Sequence, residues 1–130
     1  MSSATIRQTV TLPAAPARVY AVLLSANDFS AFTGGREASI DAKAGGAFSM
    51  FGGHITGRTV ELNPDTRIVQ AWRSKTWPEG HYSIVRFDIA AEGAGSTLTL
   101  EHSGFPLSEQ AHLTEGWSKM YWEPLKKHLA

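Results

Sequence analysis

The sequence predicts an α+β fold: an antiparallel sheet of about seven strands, two short helices after the first strand, and one long C-terminal helix. Three observations predict it. Apolar and polar residues alternate over Thr5–Leu12 and over three later runs between residues 67 and 103, the period of half-buried strands. Glycine pairs and proline-containing clusters separate the shorter runs, as tight turns do. After Ser108 the apolar spacing becomes that of a helix.

In the first strand Ile6, Gln8, Val10 and Leu12 share one face, with Thr5, Arg7, Thr9 and Thr11 on the other. Pro16 suits the first position of a short helix carrying Val19, Tyr20, Val22, Leu23 and Leu24. Asn27 and Asp28 are placed to cap a second, bearing Phe29 and Phe32 and ended by Gly34-Gly35. Seven of the twelve glycines fall between residues 34 and 57 and punctuate strands at 37–42, 47–51 and 54–62. Strands follow them, so they lack the helix that a phosphate-cradling loop needs.

Asn63-Pro64-Asp65 is a turn by its chemistry, and strands follow over 67–74, 82–91 and 96–103. Parity puts Ile68, Gln70 and Trp72 on one face, then Val85, Phe87 and Ile89, then Leu98, Leu100 and His102, all looking toward the C-terminal helix. Phe48 and Met50 take that face in the third strand, with Phe51 competing on the opposite parity. Trp77-Pro78-Glu79-Gly80 joins two strands as a turn.

The last helix is expected over residues 109–129, about 32 Å long. Ser108 is its N-cap candidate, with Glu109 in the first turn and Lys126, Lys127 and His128 in the last. Leu113, Trp117, Met120, Tyr121 and Pro124 share one side, and Ala111, Trp122, Leu125 and Leu129 lie a third of a turn away. So wide an apolar arc calls for a curved sheet on one side and other elements beside it. Gly116 is expected to permit close backbone approach, and Pro124 to kink the helix.

Twelve Lys and Arg balance twelve Asp and Glu, which argues against the positive field that non-specific nucleic-acid binding requires. The absence of cysteine removes disulfides, thiolate catalysis and Cys-containing zinc sites. No run approaches the ~20 apolar residues of a membrane span, and no secretory signal is visible at the start, so a cytoplasmic single domain over residues 1–130 is expected. His54, His81, His102, His112 and His128 show no zinc-ligand spacing, and no nucleophile elbow is present; no metal, cofactor or catalytic residue is expected. Six Phe, four Trp and three Tyr imply either a heavily aromatic core or an aromatic-lined cavity.

The order of elements resembles the helix-grip fold of the START and plant pollen-allergen superfamily. The motifs resemble a narrower group. Trp72-Arg73-Ser74-Lys75-Thr76-Trp77-Pro78-Glu79-Gly80-His81, Gly116-Trp117, and Tyr121-Trp122-Glu123-Pro124-Leu125 are similar to the C-terminal domain of activators of the heat-shock protein 90 ATPase. Ala31-Phe32-Thr33, Gly45-Gly46-Ala47-Phe48 and Gly57 extend the likeness to nearly the whole chain.

The resemblance implies a non-enzymatic chaperone cofactor in the stress response. Two-domain eukaryotic members stimulate the chaperone's ATP hydrolysis, with an additional N-terminal domain providing much of the binding. The alternative it implies is binding or transport of a small hydrophobic ligand between sheet and helix, as in other superfamily members, a few of which have lyase or cyclase chemistry. The groove residues would be Phe29, Phe32, Phe48, Trp72, Phe87, Leu100, His102, Leu113, Trp117 and Tyr121. His102 has two readings, a titratable group orienting a ligand or a satisfied structural residue. Trp77, flanked by Arg73 and Lys75, is either an exposed partner anchor at a loop tip or a cover for the cavity mouth.

Overall fold

A computed structural model describes residues 4–130. The chain runs β1 (Thr5–Leu12), α1 (Pro16–Leu23), α2 (Ala26–Phe32), β2 (Ser39–Ile40), β3 (Ala47–Met50), β4 (Ile55–Asn63), β5 (Arg67–Ser74), β6 (Ser83–Glu92) and β7 (Gly95–Ser103), then enters a C-terminal helical run from Leu107 to Leu129. The strands form one antiparallel sheet in the order β1-β7-β6-β5-β4-β3-β2. Successive hairpins build β2 to β7, and β1 closes onto β7 while α1 and α2 carry the chain to the far edge. This is the α+β helix-grip architecture that the sequence predicts.

Register turns the strand alternation into a core. Gln8, Leu100, Phe87 and Ile68 pair in one row across β1, β7, β6 and β5; Ile6, His102, Val85 and Gln70 pair in another. Nearly all of these side chains are buried beneath the helices, and His102 and Gln70 are the buried polar members. The opposite face of the sheet is charged, with Arg67 to Asp88 at 2.8 Å and Arg86 to Asp88 at 2.7 Å. Such half-exposed pairs contribute about 0–1 kcal/mol each and serve mainly to keep that face wet.

Gly57 lets β4 approach its neighbours. A Cβ there would collide with the Ala71 carbonyl and lie 2.7 Å from Phe48 Cζ, so the glycine is needed for space rather than for its backbone angles. Two residues further on, the register shifts between Thr59 and Glu61, leaving Val60 as an exposed bulge residue.

Helix ends depart from the sequence expectation. Ser25, not Asn27 or Asp28, caps α2, its hydroxyl accepting the Asp28 N–H at 3.2 Å. Asp28 instead receives the His128 Nε2–H at 2.9 Å, which fastens α2 to the chain's last turn and holds the Asp28 carboxyl below its ordinary pKa. Ser108 makes no cap bond; it sits inside a 3₁₀ turn, Leu107–Glu109, that leads into α3 (Gln110–Gly116).

Pro124 is accommodated by a widened turn. Residues Trp117–Trp122 form a π-helical segment, with the Glu123 N–H bonded to the Ser118 carbonyl, five residues back, before α4 (Glu123–Leu129) begins. Pro124 therefore falls in the first turn of a new α segment, where its missing N–H is tolerated. The widening also changes which side chains share a face. Trp117 and Trp122, about 140° apart on a regular α-helix, stack here with ring centroids 5.6 Å apart and planes 20° apart. That is why Trp117, Tyr121 and Trp122 are all buried.

Gln8 pins this segment to the sheet. Its amide donates to the Thr114 carbonyl at 3.1 Å and accepts the Trp122 indole N–H at 2.6 Å, so one inward glutamine on β1 holds α3 and the π turn together.

Candidate functional site

An aromatic wall lies between the end of β5 and the C-terminal helix. Trp72 from β5 stacks on Trp117 at 5.7 Å with planes 27° apart, extending the Trp117–Trp122 stack into a run of three indoles. Tyr121 packs edge-on to Phe29 at 5.5 Å and against Phe51 at 5.7 Å. Phe51 holds a left-handed backbone conformation (φ 55) that bulky residues rarely adopt, stabilised by its ring contacts with Phe29 and Tyr121.

Behind the wall sits His102, fully buried, in a hydrogen-bond chain whose proton positions follow from its partners. An indole N–H can only donate, so Trp117 Nε1 at 3.1 Å makes His102 Nδ1 an acceptor and leaves the proton on Nε2. Nε2 donates to Ser83 Oγ at 2.8 Å, and Ser83 donates to the Trp72 carbonyl at 2.7 Å. Burial pushes the imidazole pKa down to about 3, and with both ring nitrogens occupied no edge is free for a ligand.

In front of the wall is a pocket of about 540 Å³, within the usual range for small-molecule sites. Trp72, Trp77, Trp117 and Tyr121 make its aromatic surface, with Ile55, Phe51, Leu113 and Met120 completing the apolar part. Its polar lining comes from four separate segments: Arg36 before β2, His54 before β4, Ser74, Lys75 and Thr76 at the end of β5, and Glu109 and His112 on the C-terminal helix. His54 Nε2 lies 3.2 Å from Ser74 Oγ, which is 3.0 Å from Thr76 Oγ1. Burial lowers the His54 pKa, and the nearby positive charges of Lys75, His112 and Arg36 lower it further. A larger hollow of about 810 Å³ lies along the outer side of the C-terminal helix by Gln8. Its lining includes Ser108, Thr114, Glu115 and Lys119 and holds no aromatic residue, so it lacks the apolar grip of the first.

Of the residues expected at the groove, Trp72, Leu113, Trp117 and Tyr121 meet at this pocket. Phe29, Phe32, Phe48, Phe87, Leu100 and His102 lie in the closed core behind it. Trp77 is 5% exposed: it tilts against Trp72 at 5.7 Å and covers one end of the pocket instead of standing out at a loop tip. Arg73 holds that loop, donating to the Trp77 carbonyl at 2.8 Å and the Pro78 carbonyl at 3.2 Å, while Lys75 stands exposed at the rim.

Arg36, Phe51, His54, Glu109 and His112 line the pocket as well, and the sequence reading did not expect them at the groove. The one signal was Phe51 followed by Gly52-Gly53, an aromatic where a strand must stop and turn.

Gly116 also differs from expectation. A Cβ there would meet nothing within 4 Å, and the residue lines the pocket, so the glycine leaves open space rather than allowing close packing. Its φ of −61° is helical. Gly116→Ala is therefore expected to stabilise the fold by about 0.5–1 kcal/mol in urea titration, the usual gain of Ala over Gly inside a helix. A loss of stability would show that space at this position is structural.

Comparison with known proteins places this geometry in a lineage. The family model for activator of Hsp90 ATPase homolog 1-like proteins matches residues 13–130. The human activator of 90 kDa heat shock protein ATPase homolog 1 is 32% identical over 112 residues, covering 86% of this chain and 33% of that protein. The Dictyostelium discoideum homolog is 31% identical over 112 residues, covering 85% and 29%. The chain thus spans about a third of the length of the curated relatives it matches. Among solved structures, an HSP90 activator from Plasmodium falciparum superposes with a TM-score of 0.89 at 24% identity, covering 95% of this chain and 94% of that one. The Aha1 protein from Colwellia psychrerythraea, solved as a dimer, gives 0.82 at 15% identity, covering 97% and 96%, a likeness of fold. No helix among the described residues is long and apolar enough to cross a membrane. With the family model spanning α1 to the last turn, and the Trp72–Trp77 and Gly116–Leu125 segments building the wall and pocket, the chain belongs to the activator of Hsp90 ATPase homolog 1-like family.

Proposed function

We infer that this protein is a non-catalytic cofactor of an Hsp90-class chaperone, binding it and stimulating its ATP hydrolysis. The observation that carries this reading is the family match over residues 13–130, joined to 32% identity with a human protein named for that activity. Lys75 at the exposed rim, with Trp77 and Arg73 supporting the loop beside it, supplies the surface where contact with the chaperone is proposed. Binding is tested by titrating the purified chaperone from the same cell into this protein in a calorimeter, with nucleotide present. Saturable heat that weakens in Lys75→Glu supports the reading; no heat, together with no co-sedimentation, ends it.

The pocket favours a second reading, binding of a small, largely apolar molecule. A volume of about 540 Å³ bounded by three tryptophans and a tyrosine is larger than packing defects in a well-filled core. The two readings use one region of the molecule, so a ligand in the pocket would lie beneath the proposed contact surface.

A further inference from the structure

We propose that the pocket takes an amphiphilic anion, a flat aromatic or fused-ring body carrying one carboxylate or sulfonate, with the ring against the indoles and the anionic group at the rim near Arg36 and Lys75. The proposal rests on the second reading above, that the pocket is a ligand site, and names the chemistry of what enters it.

The charge argument starts at the rim. Arg36 and Lys75 line the mouth, together with the imidazoles of His54 and His112. Neither Arg36 nor Lys75 forms a salt bridge among the described residues. Glu109 is the single carboxylate in the lining. A chain with no net charge overall therefore gathers unpaired positive charge at one concave mouth, and low-dielectric walls there focus its field. An anion supplies the missing partner.

The pocket wall accounts for the ring. The stacked faces of Trp72 and Trp117 suit a flat aromatic body. A neutral hydrocarbon would leave the positive charge of the rim without a partner, and a cation would meet repulsion at the mouth.

The test compares two probes with nearly the same rings, 8-anilinonaphthalene-1-sulfonate, an anion, and N-phenyl-1-naphthylamine, its uncharged counterpart, by fluorescence titration of the native protein at pH 7.5. The anion is expected to bind at least tenfold more tightly. Arg36→Gln and Lys75→Gln, both exposed, should each weaken it three- to tenfold and leave the neutral probe unchanged. Gly116→Leu, which fills the pocket from the helix side, should remove both. If the neutral probe binds as well as the anion, the charge proposal fails and the ligand reading stands. If neither binds, or if Gly116→Leu leaves binding intact, both fail. Unaltered affinity for the anion in the Arg36 and Lys75 variants also overturns the proposal.

Discussion

Lowering the pH from 7.5 to 5 will cost this protein about 2 kcal/mol of stability through His102 alone, before most carboxylates have gained protons. In the folded state burial holds the imidazole pKa down at about 3, while the unfolded chain titrates near 6.5. Between those values the unfolded state binds the extra proton, so stability falls with decreasing pH by about 1.4 kcal/mol per unit, levelling off above pH 6.5 and below pH 3. Protonating the folded ring would also set a new Nδ1–H against the Trp117 N–H that Nδ1 now accepts. The half-buried His54, its pKa lowered too, adds a contribution of the same sign. Urea titrations at pH 7.5, 6.5, 5.5 and 5 measure the slope. His102→Gln should be less stable at pH 7.5 and show a markedly flatter profile; an unchanged slope in that variant would assign the effect elsewhere.

Trp117→Ala is the other large effect, expected at about 3–5 kcal/mol, the range for loss of a core tryptophan. Trp117 stacks with Trp72 and Trp122, lies 4.3 Å from the Tyr121 ring centroid, and closes the His102 chain, so its removal opens the wall to the pocket and strands an acceptor at once. Trp117→Phe separates the two contributions. It keeps much of the ring contact and leaves His102 Nδ1 buried without a donor, costing about 1–3 kcal/mol. Because Nδ1 is then free to accept a proton, the folded-state pKa of His102 rises in this variant and the acid slope begins to level at a higher pH. A Trp117→Phe protein within 0.5 kcal/mol of the parent, with the parent's pH profile, would show that the hydrogen bond contributes little.

These two predictions also mark what could be read before folding was known. Strand parity placed His102, Trp72, Phe87 and Leu100 inward because a strand's two faces are fixed by alternation alone, and the register confirms that face. Parity gives no depth along the strand. Trp72 near the end of β5 borders open space, and Phe87 in the middle of β6 does not, though both obey one rule. The π turn was out of reach for a different reason: a helix answers an interior proline by kinking or by widening, and the sequence alone does not choose. Widening carried Trp122 onto the aromatic wall and left Met120 at the pocket mouth, 37% exposed. The rim is assembled from Arg36, His54, Lys75 and His112, residues distant in sequence, and isolated polar residues in loops carry no period from which to find them.

The pocket and the proposed chaperone contact meet at the end of β5, where Lys75 and Trp77 belong to both the proposed contact surface and the cavity lining. Occupying the pocket would therefore alter the surface offered to a chaperone.

The proposed role as a chaperone activator is tested most directly by the steady-state ATPase rate of the Hsp90-class chaperone from the same cell, titrated with this protein. A rate that rises several-fold to a plateau, and rises less with Lys75→Glu, is the predicted result. A rate unchanged up to concentrations that saturate binding would contradict it.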